Sequence, residues 1–192
     1  MSIVIAFGGL DGSGKSTQIE AVKNRLEAKG FTVKVQHHFE TKIGQVCKNI
    51  IKLSKDTYIR AITFALDEYA QKIDNNESSE FDLILCDRSH YCARAYSGAQ
   101  GIADDWLCTL YQFSMTYDLC IYLDVSVETS CVRKEFDYKS PNINSIQFSE
   151  VRRIYLDLVR DGKMKRINAE QPFDKVTDDI ENAILEALQS CN

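Results

Sequence analysis

The sequence has no apolar stretch that approaches the length of a membrane-spanning helix, which needs about 20 consecutive apolar residues. No basic segment precedes an apolar one at its beginning, so we expect no signal peptide. The content of hydrophobic residues, 44%, and of charged residues, 27%, is typical of a globular protein in water. We therefore expect no membrane partner and a cytoplasmic location.

The chain also lacks an excess of positive charge. It has 23 Lys and Arg residues against 28 Asp and Glu residues, which gives a net charge of −5. Since affinity for nucleic acid polymers rests largely on clustered Lys and Arg, we expect no such partner. A small phosphate ligand held by a few local cations fits this charge balance better.

Cysteines at metal-ligand spacing are absent as well. The seven cysteines, an odd number, form neither a C-x-x-C pattern nor a Cys/His ligand pattern. We interpret most of them as small apolar residues of a protein in a reducing compartment.

Residues 9–16, with the sequence GLDGSGKS, fit the phosphate-binding pattern G-x-x-x-x-G-K-[ST] at every fixed position. The apolar run 3–7 precedes them and an amphipathic segment follows, which is the strand-loop-helix context of a P-loop. The glycines let successive backbone NH groups curl around phosphate oxygens, and the start of the helix favours the same anion. The loop therefore predicts the binding of a phosphate chain, and a turn without a ligand is the alternative.

The P-loop pattern also assigns roles to polar residues. We expect Lys15 to reach the β- and γ-phosphates and the Ser16 hydroxyl to ligate Mg²⁺. Asp87 follows the apolar run 83–86, and a carboxylate at the end of such a strand holds the metal directly or through water. The residues predicted to hold the phosphate chain are Gly9, Asp11, Gly12, Ser13, Gly14, Lys15, Ser16 and Thr17.

The rest of the chain alternates between strand and helix patterns. We predict strands at 3–7, 31–35, 83–86, 119–123 and 164–167, helices at 16–29, 43–53, 57–73, 106–115, 126–133, 147–160 and around 176–188, and a polar break at 74–80. Continuous apolar runs predict parallel strands buried on both faces, whereas the alternation in 31–35 predicts an edge strand. We expect a three-layer α/β P-loop NTPase fold, one domain over residues 1–192 with about five parallel strands flanked by helices.

Several motifs resemble those of the thymidylate kinase family of nucleoside monophosphate kinases, in the same order and over nearly the whole chain. They are FGGLDGSGKSTQ at 7–18, Asp87-Arg88 for the D-R-Y element, Ala95-Tyr96 for an A-Y pair and YLDV at 122–125, with weaker similarities at 41–44, 64–67, 151–155 and 167–169. The resemblance implies a kinase that uses ATP and Mg²⁺ to convert a nucleoside monophosphate to the diphosphate.

The resemblance implies roles around the acceptor nucleotide. Asp11 would help to hold the acceptor and the metal, and Arg88 would bridge the two phosphate groups. Phe64 would stack on the acceptor base, and Tyr96 would lie against its sugar. The alternatives are that both aromatic residues belong to the core and that Arg88 pairs with Asp87.

Glu68 stands where the family has an arginine that donates to the pyrimidine carbonyl. A carboxylate cannot donate unless it is protonated, so Glu68 suits a base that carries a donor, such as a cytosine-type amino group. A solvated or ion-paired helix residue is the alternative. The loop QHHFE at 36–40 also replaces the family's R-E-P-G-G, and we interpret His37 and His38 as polar surface residues. The acceptor is expected to be thymidylate-like or a modified pyrimidine.

The P-loop supplies no arginine of its own, because Gly12 stands where some family members carry one. We expect the missing cation to come from a lid over about 133–148, with Arg133 favoured because its planar group spans two oxygens. The other candidates are Lys134, Lys139, Arg152 and Arg153. The predicted catalytic residues are Lys15, Arg88, Arg133 and Asp11.

Two other functions stay open at this point. The same donor site suits a P-loop kinase for another small metabolite, since the acceptor positions differ from the family pattern. A nucleotide-dependent switch or ATPase is the alternative from another class, although no N-K-x-D guanine-reading element occurs. The resemblance also implies a homodimer through the helix around 57–71, unless the apolar face of that helix belongs to the internal core.

Overall fold

A computed structural model describes residues 2–77, 80–135 and 145–190. The strands are β1 (Ile3–Gly9), β2 (Val33–Gln36), β3 (Leu83–Asp87), β4 (Leu119–Asp124) and β5 (Lys165–Asn168). The helices are α1 (Lys15–Ala28), α2 (Lys42–Leu53), α3 (Thr57–Glu77), α4 (His90–Gly98), α5 (Asp104–Leu110), α6 (Val127–Glu135), α7 (Ser145–Arg160) and α8 (Phe173–Ser190).

The five strands form one parallel sheet in the order β2-β3-β1-β4-β5. Phe7 of β1 lies opposite Asp87 of β3, and Gly9 lies opposite Leu123 of β4. Because the carboxyl ends of parallel strands meet at one edge of the sheet, the loop after β1 opens beside the ends of β3 and β4. The edge position of β2 confirms the prediction made from the alternation in 31–35.

Helices cover this sheet, and α1 packs against α8 while α4 packs against α7. Ile5, Phe7, Leu85 and Ile121 of the three central strands are fully buried. Burial on both faces explains why β1, β3 and β4 are continuous apolar runs. The predicted α/β class with about five parallel strands flanked by helices is therefore confirmed.

The largest differences from the predicted helix boundaries are the ends of two helices. Helix α3 continues to Glu77, through part of the predicted break, and Lys34 Nζ donates to Asp74 Oδ2 and Asn75 Oδ1 at 3.2 and 3.0 Å. Helix α5 ends at Leu110 although the pattern predicts helix to residue 115. Lys72 Nζ of α3 instead donates to the carbonyl oxygens of residues 113 and 114, which holds this segment in an irregular path.

Helix α4 is not predicted from the sequence. Its buried residues, Cys92, Ala95 and Ser97, are small, so its hydrophobic periodicity is weak. The predicted lid over about 133–148 falls mainly on residues 136–144, which lie outside the described residues. Within the three described ranges, no helix combines the length and the apolar character needed to cross a membrane.

Candidate active site

The donor loop, residues 9–16, adopts a backbone that favours glycine. Gly9, Gly12 and Gly14 have φ angles of 150°, 82° and 90°. A Cβ on Gly9 would lie 2.7 Å from the carbonyl oxygen of Leu123, and one on Gly12 would lie 2.8 Å from that of Ser130. The loop therefore passes so close to β4 and α6 that a side chain at either position would force a shift.

Lys15 begins α1 and folds back over the donor loop. Its Nζ donates to the carbonyl oxygens of Leu10 at 2.8 Å and Gly9 at 3.1 Å, and the residue is buried. Burial, and next the nearby Arg88, lower the pKa of Lys15 to about 8. A phosphate oxygen beside Nζ favours the protonated form, so the ammonium group suits an anionic ligand.

Ser16 and Asp87 meet at the carboxyl edge of the sheet, where Ser16 Oγ donates to Asp87 Oδ2 at 2.7 Å. His37, which follows β2, places Nδ1 at 3.5 Å from the same carboxylate oxygen. Mg²⁺ usually binds one or two protein oxygens together with substrate phosphates and water. The hydroxyl and the carboxylate fit this preference, and the described residues contain no larger cluster of His, Cys, Asp or Glu suited to a metal.

Arg88 links the donor loop to the region around α4. Its Nη2 donates to Asp11 Oδ1 at 2.8 Å, and its guanidinium carbon lies 5.7 Å from the ring centroid of Tyr96. The Asp11 backbone NH donates to the Tyr96 hydroxyl at 3.1 Å. Burial opposes the charge of Arg88, but Tyr96 and Asp11 outweigh it and raise its pKa, so the guanidinium stays charged.

The backbone of Arg88 has a φ of 100°, in the region that non-glycine residues seldom adopt. Such strain costs about 1–3 kcal/mol and concentrates at functional sites, where the surrounding structure imposes it. The strained turn between β3 and α4 directs Arg88 to Asp11 of the donor loop.

Arg133 of α6 lies beside Gly12. A Cβ on Gly12 would lie 3.4 Å from Arg133 Cβ, and Ser130 Oγ donates to the carbonyl oxygen of Asp11 at 2.6 Å. Both Nη atoms of Arg133 lie 3.4 Å from the carbonyl oxygen of Ala169. Helix α6 thus places this arginine between the donor loop and the turn after β5.

Asp124, at the end of β4, binds two arginines. Arg152 Nε donates to Oδ1 at 2.8 Å, and Arg166 Nε donates to Oδ2 at 2.8 Å. Burial acts to raise the pKa of Asp124, but hydrogen bonds from Arg152, Tyr122 and Arg166 outweigh it and lower this pKa. Arg152 is therefore paired with Asp124 at the end of β4.

Of the remaining candidates for the extra cation, one has partners and two are not described. Arg153 pairs with Glu150 and Asp157 along α7, half-exposed to solvent. The predicted Lys139 lies outside the described residues, and the structure does not describe the side chain of Lys134. Among the candidates whose side chains the structure describes, Arg133 is the one that lies against the donor loop.

On the acceptor side, the ring of Phe64 in α3 faces the loop after β2. Its centroid lies 5.1 Å from that of His38 and 5.4 Å from that of Phe39, with the Arg60 guanidinium at 6.0 Å. Phe64 is half-buried in this cluster, so one part of the ring contacts protein and another part is open to solvent.

Asp67 fixes that loop, a role that sequence reasoning did not assign. It is fully buried, accepts from the Phe39 backbone NH at 3.1 Å and lies 2.7 Å from His38 Nδ1. A Cβ on Gly44 would lie 2.5 Å from Asp67 Oδ1, so this glycine leaves room for the carboxylate. The surface interpretation of His38 is therefore wrong. The weaker similarity of residues 64–67 to a motif of the thymidylate kinase family was the available signal.

Glu68 lies one helical turn after Phe64 and is 2% exposed, which excludes the solvated alternative. The Tyr117 hydroxyl donates to Glu68 Oε1 at 2.8 Å, and His90 Nδ1 lies 3.1 Å from the same oxygen. Sequence reasoning missed both partners, because they come from the start of α4 and from the segment before β4, and no local pattern marks either contact.

The predicted site residues thus form two groups. The first surrounds the donor loop and contains Asp11, Lys15, Ser16, Asp87, Arg88, Tyr96 and Arg133. The second lies on α3 and contains Phe64 and Glu68. His90, two residues after Arg88, contacts Glu68 and connects the groups. A P-loop at the carboxyl edge of a parallel sheet, with its lysine, a hydroxyl–carboxylate pair suited to Mg²⁺ and an adjacent arginine, is typical of the class of P-loop proteins that bind a nucleoside triphosphate.

Comparison with known proteins identifies the family within this class. The profile described as thymidylate kinase matches residues 7–180. The chain is 30% identical to a probable thymidylate kinase of Staphylothermus marinus over 96% of this chain and 95% of the relative. It is 32% identical to a probable thymidylate kinase of Pyrococcus horikoshii over 92% of each.

The chain therefore belongs to the thymidylate kinase family. It is a nucleoside monophosphate kinase, a phosphotransferase of nucleotide biosynthesis that uses ATP. This family match, over nearly the full length of the chain and of its relatives, favours the nucleoside monophosphate kinase over the two other functions that the sequence left open.

Proposed function

We propose that the chain transfers the γ-phosphoryl group of Mg²⁺-bound ATP to a pyrimidine nucleoside monophosphate, either thymidylate-like or modified. The observation that carries this proposal is the Arg88–Asp11 pair at 2.8 Å, which joins the donor loop to the segment leading to the α3 group. The names of the relatives in Staphylothermus marinus and Pyrococcus horikoshii, probable thymidylate kinases, support a pyrimidine acceptor.

Phosphoryl transfer needs positioning and charge neutralisation more than covalent chemistry. The donor loop and Lys15 bind the phosphate chain of ATP, while Ser16 and Asp87 are the residues that would hold Mg²⁺. The metal supplies neutralisation of charge on the phosphate oxygens. Arg88 binds oxygens of both the transferred group and the acceptor phosphate, since its guanidinium lies beside Asp11 of the donor loop and the residue is two positions before His90, which contacts Glu68.

Arg133 supplies the cation that the donor loop lacks. The proposal is supported by its position, 3.4 Å from where a Cβ on residue 12 would lie, and by the φ of 82° that disfavours a side chain on Gly12 itself. An arginine on α6 therefore provides a charge beside the loop without straining the loop backbone.

Acceptor-dependent release of ADP tests this function. With Mg²⁺ and ATP, we expect ADP to form only when a pyrimidine monophosphate is added, together with the corresponding diphosphate. Release of ADP at the same rate without any acceptor would show an ATPase and contradict the proposal.

We also propose that a second copy of the chain covers an apolar stripe on α3. This α3 stripe consists of Ile59, Ile62, Leu66, Tyr69 and Ile73, each 44–49% exposed and spaced by three or four residues. Ala61 and Ala65 on the opposite face are buried, so the helix has an internal face and a separate exposed apolar face. A continuous apolar stripe of this kind is typical of a helix that packs on a partner.

The mass in solution tests the dimer. Wild-type protein should sediment at twice the chain mass, and Leu66→Glu should sediment as a monomer. Phe113→Glu, which changes an exposed apolar residue outside the α3 stripe, should leave the dimer intact. A wild-type protein with the mass of one chain would contradict the proposal.

The cytoplasm remains the proposed compartment. The six described cysteines, Cys47, Cys86, Cys92, Cys108, Cys120 and Cys131, are all free, as expected in a reducing environment. Fractionation of cells that express a tagged chain would locate it.

A further inference from the structure

Glu68 is a carboxylate that the fold holds in one orientation. Its α3 position, one turn after Phe64, places both side chains toward the same side of the helix. Phe64 faces the loop after β2, and Glu68 faces the start of α4. A base stacked on Phe64 would therefore lie about one helical turn from Glu68.

The two partners of Glu68 are themselves fixed. The His90 ring lies between aromatic neighbours, with centroids 4.2 Å from Tyr91, 5.5 Å from Tyr117 and 6.0 Å from Tyr111. Burial, and next the Glu68 carboxylate, raise the pKa of Tyr117, so its phenol stays protonated and donates. These contacts hold the carboxylate without leaving it free to rotate.

Both partners meet the same oxygen of Glu68, Oε1. Within the described part of the chain this leaves Oε2 as an acceptor for a further donor. An ionised carboxylate only accepts hydrogen bonds, so a base edge beside it must donate. The O4 of thymine is an acceptor, whereas the amino group at the same position of cytosine is a donor.

We propose that Glu68 selects a pyrimidine monophosphate with an amino group at position 4, a cytosine-type acceptor, and that His90 and Tyr117 are its positioning residues. This inference rests on the proposed kinase function and narrows its pyrimidine acceptor to a cytosine-type base in place of a thymidylate-like one. A buried carboxylate facing the O4 of thymine would place two acceptors together, which disfavours thymidylate.

The test compares deoxycytidine and thymidine monophosphates as acceptors, by kcat/KM in ADP release and by equilibrium binding. We expect wild-type protein to prefer deoxycytidine monophosphate by about 10-fold or more, as one base-edge recognition allows. Glu68→Gln should reduce this ratio towards 1, because the amide both donates and accepts. Tyr117→Phe should reduce it less and raise the KM of the preferred acceptor, while leaving the KM of ATP unchanged.

Tyr111→Phe is the matched control. Its hydroxyl donates to the Ala61 carbonyl oxygen at 3.1 Å, so the variant loses a buried tyrosine hydrogen bond in the same region and should keep the wild-type ratio.

The outcomes separate the two proposals. Preference of wild-type protein for thymidine monophosphate, or an unchanged ratio in Glu68→Gln, overturns the base assignment and leaves the kinase function standing. Absence of turnover with every nucleoside monophosphate overturns both. The comparison of wild-type acceptors decides the question even where a variant fails to fold.

Discussion

The donor loop and the α3 group, which we propose bind the two substrates of one reaction, are built differently. The donor loop is a run of eight consecutive residues whose backbone forms the site, with glycine conformations that bring it against Leu123 and Ser130. The α3 group is built from side chains, and its key contacts join residues 22 and 49 positions apart.

The difference indicates which part of the site tolerates a change of substrate specificity. Backbone NH groups bind the phosphate chain that ATP always presents, so the donor loop can match the family pattern at every fixed position. Side chains on α3 are proposed to bind the variable base, and there Glu68 offers an acceptor in place of the arginine that the resemblance implies. The predictions that follow test this division and the packing beside it, in order of decreasing expected effect.

Lys15→Ala should abolish the function of the donor loop. Loss of the ammonium group that neutralises the transferred phosphates should lower kcat/KM by about 10³-fold or more. ADP release in the presence of an acceptor measures it. Lys23→Ala, on the same helix and outside the donor loop, should stay within about twofold of wild type. A kcat/KM of Lys15→Ala within tenfold of the wild-type value would show that Lys15 takes no part in the chemistry.

Arg133→Ala should lower kcat by about 10²- to 10³-fold, because one transition-state cation is lost. Adding Gly12→Arg to this variant should not restore activity, since a Cβ at residue 12 would lie 2.8 Å from the Ser130 carbonyl oxygen. Steady-state kinetics of the single and double variants measure both effects, and Arg160→Ala on α7 serves as a control. Full turnover of Arg133→Ala would show that another residue supplies the extra cation.

Asp124→Asn should lower the free energy of unfolding by about 2 kcal/mol, because Arg152 and Arg166 lose a buried charged partner. Urea unfolding measures the loss. Asp157→Asn removes a partner of Arg153 and Arg160 on the surface and should cost less than about 0.5 kcal/mol. Equal losses in the two variants would show that burial of Asp124 adds nothing.

The lowered pKa of Asp124 also gives this stability a pH dependence. A carboxyl with a folded-state pKa below its unfolded value contributes fully above about pH 4, and the contribution is lost as pH falls through the lowered pKa. The difference between wild type and Asp124→Asn should therefore shrink in acid. A difference that grows there would contradict the assigned direction.

Phe64→Ala should weaken only the binding of the acceptor nucleotide. Loss of stacking on the base should raise the KM of the acceptor by about tenfold and leave the KM of ATP unchanged. Steady-state kinetics with each substrate varied in turn separates these two effects. Phe113→Ala, an exposed aromatic elsewhere, is the control. Equal changes in both KM values would show that the two sides are not independent.

Prediction from the sequence succeeded where consecutive residues determine the structure. The five strands, the edge position of β2 and the location of the donor loop all follow from local patterns. Prediction failed for α4, for the end of α5 and for the continuation of α3, because small buried residues and side chains from distant elements decide those segments.

The local sequence is enough to specify the donor loop, because a P-loop uses the backbone of one short segment whose conformation its own glycines allow. Only the tertiary structure decided three further features: which arginine stands beside Gly12, why that position is glycine, and what holds Glu68. Each depends on how α3, α4 and α6 pack around the sheet, and contacts of that kind join residues far apart in the chain.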